Sequence, residues 1–322
     1  MEPHRDLTLG FVSDDYLTEY RPPADEATRT VHDDLARFRG LGPRQILARA
    51  LVLGGFGIDA VDPAEHDDLD RLDPEPDRGD RPTRLSVDRH PVLVVALSHH
   101  LDAAVQQRLA DYVHAGGRLL IAGVLPDRDT SGRPCLVLAK ALGLQVVGEH
   151  TDRVIEDGRE QLWFTTIQAD PLLDGPRPEV RVSAAQILAA DRAESAESTE
   201  SAAVLVRELT TGSPVAVEVT AGRGRAIVLA CDYPADLAFY AALLARLGVR
   251  PRWRTDASQP GLVIAAMADP DSGAELVHLL NVAPYPLTFS VWREDVAVTD
   301  GPITLPARGA HLLRPGRPGR PG

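Results

Sequence analysis

The feature that most constrains the fold is an unbroken apolar run in the first third of the chain, Val92 to Leu97. A strand without polar positions has both faces buried, which is typical of parallel strands inside an α/β sheet. A second apolar run, Leu119 to Ala122, follows. Between the two runs, apolar residues recur at helical spacing: Leu101, Val105, Leu109, Tyr112 and Val113. This order predicts a βαβ unit with a right-handed crossover, and therefore a doubly wound sheet.

The segment before this unit continues the alternation of strands and helices. Leu9 to Val12 and Ile58 to Val61 are predicted short strands. Helical spacing extends from Asp25 to Leu53, where glycines and a proline at 40–43 divide it into two helices. Gly54-Gly55 ends the second of these helices, since glycine favours the backbone conformation that follows a helix.

The rest of the chain is predicted to be richer in β structure. Pro134 to Leu144 is one more predicted helix, and Val154 to Ile167 predicts a hairpin that turns at residues 156–158. Gly222-Arg223-Gly224 predicts a second hairpin turn, and an amphipathic helix follows from Ala235 to Leu247. Five short β segments then predict a small antiparallel sandwich: Leu262–Met267, Glu275–Val282, Leu287–Trp292, Ile303–Leu305 and Ala310–Leu313.

These patterns predict two domains. The first is an α/β domain over residues 1–255, with an acidic loop at 62–90 and a low-complexity loop at 191–203. The second is the β-sandwich over residues 256–314, followed by a disordered tail at 315–322 that repeats Arg-Pro-Gly.

Charge and cysteine content exclude several classes of partner. The 322 residues carry a net charge of −13, which disfavours a nucleic-acid surface and adsorption to anionic membranes. No run reaches the roughly 20 apolar residues of a membrane span. The two cysteines, Cys135 and Cys231, are predicted to be free thiols that are not bonded to each other, in a reducing cytoplasm.

Several short motifs together resemble a known domain. They are the Val92-Leu93-Val94-Val95 strand, the helix end Tyr112-Val113-His114-Ala115-Gly116-Gly117, Gly123-Val124-Leu125-Pro126, Gly132-Arg133-Pro134 and Gly222-Arg223-Gly224-Arg225-Ala226. This set is similar to the middle domain of bacterial β-galactosidases of glycoside hydrolase families 42 and 35. The resemblance covers roughly residues 7–313. It implies a class I glutamine-amidotransferase-like (flavodoxin-like) sheet, a trimerisation role, and a C-terminal β-sandwich.

The same resemblance implies a missing part. Those enzymes carry two catalytic glutamates on an N-terminal (β/α)₈ barrel, which needs about 250 residues that are not available here. Their acid/base glutamate follows an asparagine, but the single asparagine of this chain, Asn281, precedes Val282. We therefore expect a truncated or split β-galactosidase portion that is not an enzyme as an isolated chain.

An alternative is an amidotransferase-like hydrolase with a cysteine nucleophile. Cys231 follows a predicted strand and precedes a helix, and Cys135 lies at a predicted helix start, where the thiol pKa can be lowered. Cys231 lacks the flanking glycines of a tight nucleophile turn. A buried, unreactive thiol is the favoured interpretation for both cysteines.

Other candidate residues have simpler structural interpretations. Ser98 is predicted to cap a helix beside two solvated histidines, His99 and His100, at the carboxyl end of the strongest strand. The Asp14-Asp15 pair with Glu19 is interpreted as surface or capping residues. Gly54-Gly55-Phe56-Gly57 follows a helix and lacks the lysine of a phosphate loop. Trp163, Trp253 and Trp292 are predicted to pack in cores or interfaces, although a carbohydrate-binding module that stacks sugars on them is a further alternative.

The sequence thus predicts the non-catalytic assembly portion of a β-galactosidase-type glycoside hydrolase. We expect no catalytic, cofactor-binding or metal-binding residues and no cofactor. The expected partners are further copies of the chain, as a trimer, and a separate catalytic barrel. The expected location is the cytoplasm.

Overall fold

The computed structural model describes residues 9–12, 43–56, 58–62, 83–84, 87–88, 90–151, 153–156, 159–162, 165–173, 178–182, 184–190, 202–256, 261–268, 275–294 and 296–314. Internal contacts divide the chain into two units. The central unit comprises Leu9–Leu47 and Asp59–Pro234, and the C-terminal unit comprises Met1–Thr8, Ala48–Ile58 and Ala235–Gly322. The domain boundary at 255/256 that the sequence suggested stays a prediction.

The described residues form four helices. They are α1 (Pro43–Leu53), α2 (Ala103–His114), α3 (Val137–Ala141) and α4 (Leu237–Arg246). The carboxylate of Asp102 caps α2 by accepting hydrogen bonds from the N–H groups of Ala104 and Val105. Asp236 caps α4 in the same way, through the N–H of Phe239.

The central unit is built mainly from strands. They are β1 (Leu9–Val12), β2 (Ile58–Asp62), β3 (Thr83–Arg84), β4 (Val92–Leu97), β5 (Arg118–Gly123), β6 (Leu144–Thr151), β7 (Arg153–Glu156), β8 (Arg159–Leu162), β9 (Thr165–Ala169), β10 (Glu179–Val182), β11 (Ala184–Ala190), β12 (Ala203–Glu208), β13 (Pro214–Ala221) and β14 (Gly224–Leu229). Ten of them form one sheet in the order β10-β9-β12-β13-β14-β5-β4-β1-β2-β3. Strands β6 and β11 form a separate pair, and β7 and β8 form a hairpin.

The ten-stranded sheet is mixed. The pairs β1–β4, β4–β5, β5–β14 and β2–β3 are parallel, whereas the pairs β14–β13, β13–β12, β12–β9 and β9–β10 are antiparallel. The predicted strands at Leu9–Val12, Ile58–Val61, Val92–Leu97 and Leu119–Ala122 are all present. With few helices among the described residues, the unit is richer in β structure than the sequence analysis expected.

Burial of the central strands explains their composition. All six residues of β4 are buried, as the apolar run predicted, and five of the six residues of β5 are buried. Helix α2 packs its apolar side into the same core, where Tyr112 donates a hydrogen bond from its hydroxyl to the His90 carbonyl at 2.7 Å. Gly224 lies so close to α2 that an added Cβ would overlap the carbonyl oxygens of Val113 and Gly117. The hairpin therefore requires glycine at this contact.

Helix α3 is shorter than predicted. The sequence suggested Pro134 to Leu144, but the helix covers only Val137–Ala141. Pro134 forms a β-bridge with Arg128, and the Cys135 N–H donates to the Asp127 carbonyl at 2.8 Å. These residues therefore belong to the preceding loop. Gly143, with a φ of 63°, ends the helix, and β6 begins at the next residue.

The C-terminal unit contains short antiparallel strands. They are β15 (Trp253–Thr255), β16 (Leu262–Ala268), β17 (Glu275–Asn281), β18 (Leu287–Phe289), β19 (Val291–Arg293), β20 (Val296–Ala297), β21 (Ile303–Leu305) and β22 (Ala310–Leu313). They pair as β15-β19-β20, β16-β17-β22 and β18-β21. Their inward residues form a core around Val277, Leu279, Phe289 and Val291. The predicted small antiparallel β domain is present.

One predicted strand of this unit is two strands. Leu287 to Trp292 was expected to be continuous, but β18 pairs with β21 whereas β19 pairs with β15. The chain changes partner at Ser290, whose N–H donates to the Asp256 carboxylate at 3.2 Å. The single asparagine has a structural role here, because the Asn281 amide donates to the carbonyl groups of Tyr285, Leu305 and Pro306.

Candidate functional site

A group of polar side-chain contacts lies at the carboxyl ends of the parallel strands of the central unit. Open α/β sheets bind ligands at this edge. Strand β4 is followed by Ser98-His99-His100, and β5 is followed by the segment Val124–Cys135, which we call the edge loop. Strand β14 leads into Ala230-Cys231-Asp232, which reaches β11 through a bridge between Cys231 and Ala185.

His99 is the centre of this edge. Its Nδ1 lies 3.2 Å from Asp127 Oδ1 in the edge loop, and its Nε2 lies 3.1 Å from Glu149 Oε1 on β6. The imidazole is buried, with 6% of its side chain exposed, whereas the two carboxylates are about one third exposed (36% and 35%). A nearly buried ring is thus held between two carboxylates that come from different segments.

This arrangement changes the acidity of the groups. Burial lowers the pKa of His99, but the hydrogen bonds and charges of Asp127 and Glu149 outweigh burial and raise the pKa from 6.5 to about 9. Burial alone would raise the pKa of Asp127, yet the hydrogen bond to His99 and the charges of His99 and Arg128 lower it. His99 is therefore a cation at neutral pH, which is unsuited to act as a general base.

Backbone hydrogen bonds hold the edge loop on the same histidine. The N–H groups of Asp127 and Arg128 both donate to the His99 carbonyl, at 3.1 and 3.0 Å. Further along the loop, the Asp129 carboxylate accepts from the N–H groups of Ser131 and Arg133 and from the Ser131 hydroxyl. The Ser131 hydroxyl and the other Asp129 contacts lower the pKa of Asp129 to about 2. The loop is thus closed by its own polar groups.

Two buried glutamines also hold the edge loop and the segments beside it through hydrogen bonds to backbone groups. Gln186 on β11 accepts from the Leu125 N–H at 2.7 Å and donates to the Leu125 carbonyl at 3.2 Å, so its side chain pairs with a backbone unit as a neighbouring strand would. Gln106 on α2 donates to the Leu101 carbonyl and accepts from the Leu138 N–H. Sequence reasoning singled out neither glutamine. Their only sequence signal is a polar residue at a position where the pattern requires burial.

Two sequence predictions at this edge are wrong. Ser98 does not cap α2, because Asp102 does, and the Ser98 hydroxyl donates to the His100 carbonyl at 3.2 Å. His99 and His100 are not solvated, since they are 5% and 4% exposed. The turn that places Asp102 at the helix start brings both histidines under the edge loop.

The two cysteines occupy different environments. Cys231 is buried, and burial, followed by the nearby charge of Asp232, raises its pKa well above the ordinary value. This is opposite to the lowered pKa of a nucleophilic thiolate. Cys135 is half-buried and is not in the first turn of α3, which begins at Val137. Both thiols are free, so the two cysteines are not bonded to each other in this structure.

The tryptophans that are described are held by other side chains. Trp253 is buried in the C-terminal unit, donates from its indole N–H to Glu275 at 2.9 Å, and lies under the Arg293 guanidinium. Trp292 is half-buried and lies under Arg254, 5.2 Å from the guanidinium carbon to the ring centre. The predicted packing role is confirmed for Trp253, and Trp163 lies outside the described residues.

The remaining candidates from the sequence either have a structural role or lie outside the described residues. Gly55, with a φ of 80°, ends α1, and the Gly54 N–H donates to the Ala50 carbonyl at 2.9 Å, so the predicted helix end is confirmed. Asp14, Asp15 and Glu19 lie outside the described residues, as do 63–82 and 315–322. Within the described part of the chain, no group of three or more His, Cys, Asp or Glu side chains is arranged to hold a metal ion. No helix there is long and apolar enough to cross a membrane.

The C-terminal unit has a very different exposed surface. In the sheet β16-β17-β22, Val263, Leu280 and Ala310 lie side by side, as do Ala265, His278 and Leu312. We call these six residues the apolar face. None of them is Asp, Glu, Lys or Arg, and Leu280 and Leu312 are 39% and 40% exposed.

Comparisons with known proteins agree with this geometry. Residues 80–169 match the family model described as GLMA-like, second domain. This segment contains β4, α2, β5, the edge loop and β6, and therefore the His99 cluster. No curated protein matches the chain significantly.

Solved structures show the same fold over most of the chain. A catalytic mutant of a GH42 β-galactosidase from G. stearothermophilus matches 97% of this chain with a TM-score of 0.63 and 14% identity. The β-galactosidases of Bacillus circulans sp. alkalophilus (85% of this chain, TM-score 0.58, 17% identity) and Halorubrum lacusprofundi (96%, 0.57, 19%) match similarly. The chain covers 40%, 37% and 40% of these proteins. The predicted resemblance to β-galactosidases of family 42 is confirmed for the fold, over less than half of the length of these proteins.

Proposed function

We propose that this chain is the non-catalytic assembly portion of a β-galactosidase-type glycoside hydrolase. The observation that carries the proposal is the unequal coverage of the structural match. Nearly the whole of this chain, 97%, corresponds to only 40% of the G. stearothermophilus enzyme.

The chemistry of the edge supports the absence of catalysis. A retaining glycosidase needs two carboxylates about 5 Å apart, one of which acts as a nucleophile. Here Asp127 and Glu149 both contact the His99 ring, which occupies the space between the two carboxylates. The charge cluster resembles a structural lock more than an acid/base pair. We accordingly propose that the chain carries no catalytic, cofactor or metal site.

The sheet supports a finer description of the fold. We propose that the central unit is a doubly wound sheet of the glutamine-amidotransferase-like kind, on which antiparallel strands have been added. Four adjacent strands, β1, β4, β5 and β14, are parallel, and α2 connects β4 to β5. Cys231 follows β14 but is buried with a raised pKa, so the observations do not favour a cysteine hydrolase.

Assembly is the remaining part of the proposal. The family resemblance suggests a homotrimer, with a catalytic barrel as a further partner, in the cytoplasm. The apolar face, on which Leu280 and Leu312 are exposed, is consistent with association, because large exposed apolar patches usually mark interaction sites. The free thiols agree with a reducing compartment.

Light scattering after size exclusion tests the assembly role. We expect a mass of three chains of 34.7 kDa each, unchanged on dilution. The concentrations should span about a hundredfold range on both sides of a micromolar Kd. A monomer at every concentration would contradict self-association. A stable dimer would contradict the trimer while leaving assembly supported.

A further inference from the structure

The two contacts of His99 specify its protonation state by geometry. An ionised carboxylate only accepts hydrogen bonds, and a neutral imidazole has one N–H and one acceptor nitrogen. Asp127 Oδ1 lies 3.2 Å from Nδ1 and Glu149 Oε1 lies 3.1 Å from Nε2. Both contacts can be hydrogen bonds at the same time only when both ring nitrogens carry a hydrogen.

We propose that His99 is a charge-dependent latch: as an imidazolium it fastens the edge loop to β6, and loss of one ring proton releases the Glu149 side. The latch is a conformational device at the edge where sheets of this kind bind ligands. It does not depend on the proposed function, since it follows from contacts within the central unit.

The asymmetry of the release follows from the backbone. Asp127 is held next to His99 by its own N–H and by that of Arg128, which both donate to the His99 carbonyl, and by the bond from the Cys135 N–H to the Asp127 carbonyl. Glu149 reaches the ring with its side chain from β6, a strand that pairs with β11. The single N–H of a neutral ring therefore stays with Asp127, and Glu149 then faces a ring nitrogen lone pair.

The neighbouring charges set the range of pH in which the latch is closed. The charged groups placed against the ring by the described residues are Asp127 from the edge loop and Glu149 from β6, and Arg128 lies 4.0 Å from Asp127. Burial lowers the pKa of His99, but the two carboxylates outweigh burial and raise the pKa to about 9. The latch is closed at neutral pH and opens as the pH rises through about 9.

Nitrogen NMR of histidine-labelled protein tests the latch directly, with His99→Gln identifying the His99 signals. We expect both ring nitrogens to be protonated at pH 7 and one to lose its proton near pH 9. Amide hydrogen exchange in β6 should accelerate over the same interval, after correction for the intrinsic pH dependence of exchange.

Matched variants separate the latch from general loop stability. Glu149→Gln keeps the shape of the side chain but removes its charge, and should lower the proton affinity of His99 by about tenfold or more, a shift of one pKa unit. Asp129→Asn, in the same loop but bonded to Ser131 and Arg133, should leave the His99 titration unchanged.

Two results would overturn the proposal. One is a neutral His99 ring in the folded protein at pH 7, which wild-type protein alone can show if a variant fails to fold. The other is a His99 titration near pH 9 without any change in the exchange of β6, which would leave a charged histidine that does not act as a latch.

Discussion

The carboxyl edge of the mixed sheet and the apolar face of the C-terminal unit differ in how they treat polar groups. At the edge, His99, Asp127, Glu149 and Gln186 all have partners within the same unit. On the apolar face, none of the six residues is Asp, Glu, Lys or Arg, and leucines are exposed to solvent. The edge contains ionisable side chains that bond to one another. The apolar face contains mainly aliphatic side chains that are exposed to solvent.

This difference shows that residue types found in catalytic sites do not by themselves form a reactive site. Histidine beside two carboxylates is a set from which catalytic sites are built, yet here the carboxylates hold the ring as a cation and remove its ability to accept a proton. An interaction surface needs no special residue types, only uncompensated apolar area. An assembly portion is expected to have an inert edge and an open face.

The largest expected effect contrasts the two sides of β17. Leu279 is fully buried, and Leu279→Ala should lower the free energy of unfolding by about 2–5 kcal/mol, as cavity-forming substitutions do. Leu280, on the apolar face, is 39% exposed, and Leu280→Ala should cost less than about 1 kcal/mol. Urea unfolding of both variants measures the contrast. Equal losses would show that the apolar face is covered by the chain itself.

The next effect is the contribution of His99 to stability. Its pKa is raised on folding from 6.5 to about 9, so the protonated ring stabilises the folded state fully below pH 6.5 and this stabilisation is lost as the pH rises to about 9. The rise of about 2.5 pKa units corresponds to about 3–4 kcal/mol at about 1.4 kcal/mol per unit. Unfolding midpoints measured from pH 6 to pH 10 should fall in this interval, and His99→Gln should reduce the fall. If the unfolding midpoint of the variant depended on pH as that of the wild type does, the stabilisation would not come from His99.

A smaller effect is expected at Gln186. Gln186→Leu keeps the approximate size of the side chain but leaves the Leu125 N–H and carbonyl without their partner, at a cost of about 1–3 kcal/mol. Gln107 on α2, which is exposed and bonds to Asp111, provides the matched control, and Gln107→Leu should change stability by less than about 0.5 kcal/mol. A destabilisation of the control as large as that of Gln186→Leu would show that the buried amide has no special role.

The smallest change is chemical modification without any substitution. Cys231 is buried with a raised pKa, so it should resist alkylation by iodoacetamide near neutral pH until the protein unfolds, whereas half-buried Cys135 should react first. Peptide mass mapping after short exposures distinguishes the two thiols. Rapid modification of Cys231 in the folded protein would revive the cysteine-hydrolase alternative.

Local patterns in the sequence predicted the parts of the fold that depend on neighbouring residues. A few consecutive residues are enough to predict the apolar run of β4, the apolar stripe of α2, the hairpin around Gly222 and the glycine end of α1. Helix α3 was overextended because the bonds that hold Pro134 and Cys135 in the edge loop come from Arg128 and Asp127. The local pattern of apolar residues does not predict such contacts.

The candidate site was largely beyond prediction for the same reason. His99 meets Asp127 and Glu149 from 28 and 50 residues away, and Gln186 meets Leu125 across 61 residues. The pairing of β6 with β11, which positions two of these side chains, is also a long-range contact. Sequence position identified the edge as a place for polar residues, but only the fold shows that they neutralise one another.

The most direct test of the central claim is an assay of the purified chain with a chromogenic β-galactoside, repeated with Asp127→Asn and Glu149→Gln. We predict no turnover above the substrate's spontaneous hydrolysis, and no difference between the wild type and the two variants. Turnover that follows the protein through purification and is lost on substituting a single Asp or Glu of this chain would contradict the account.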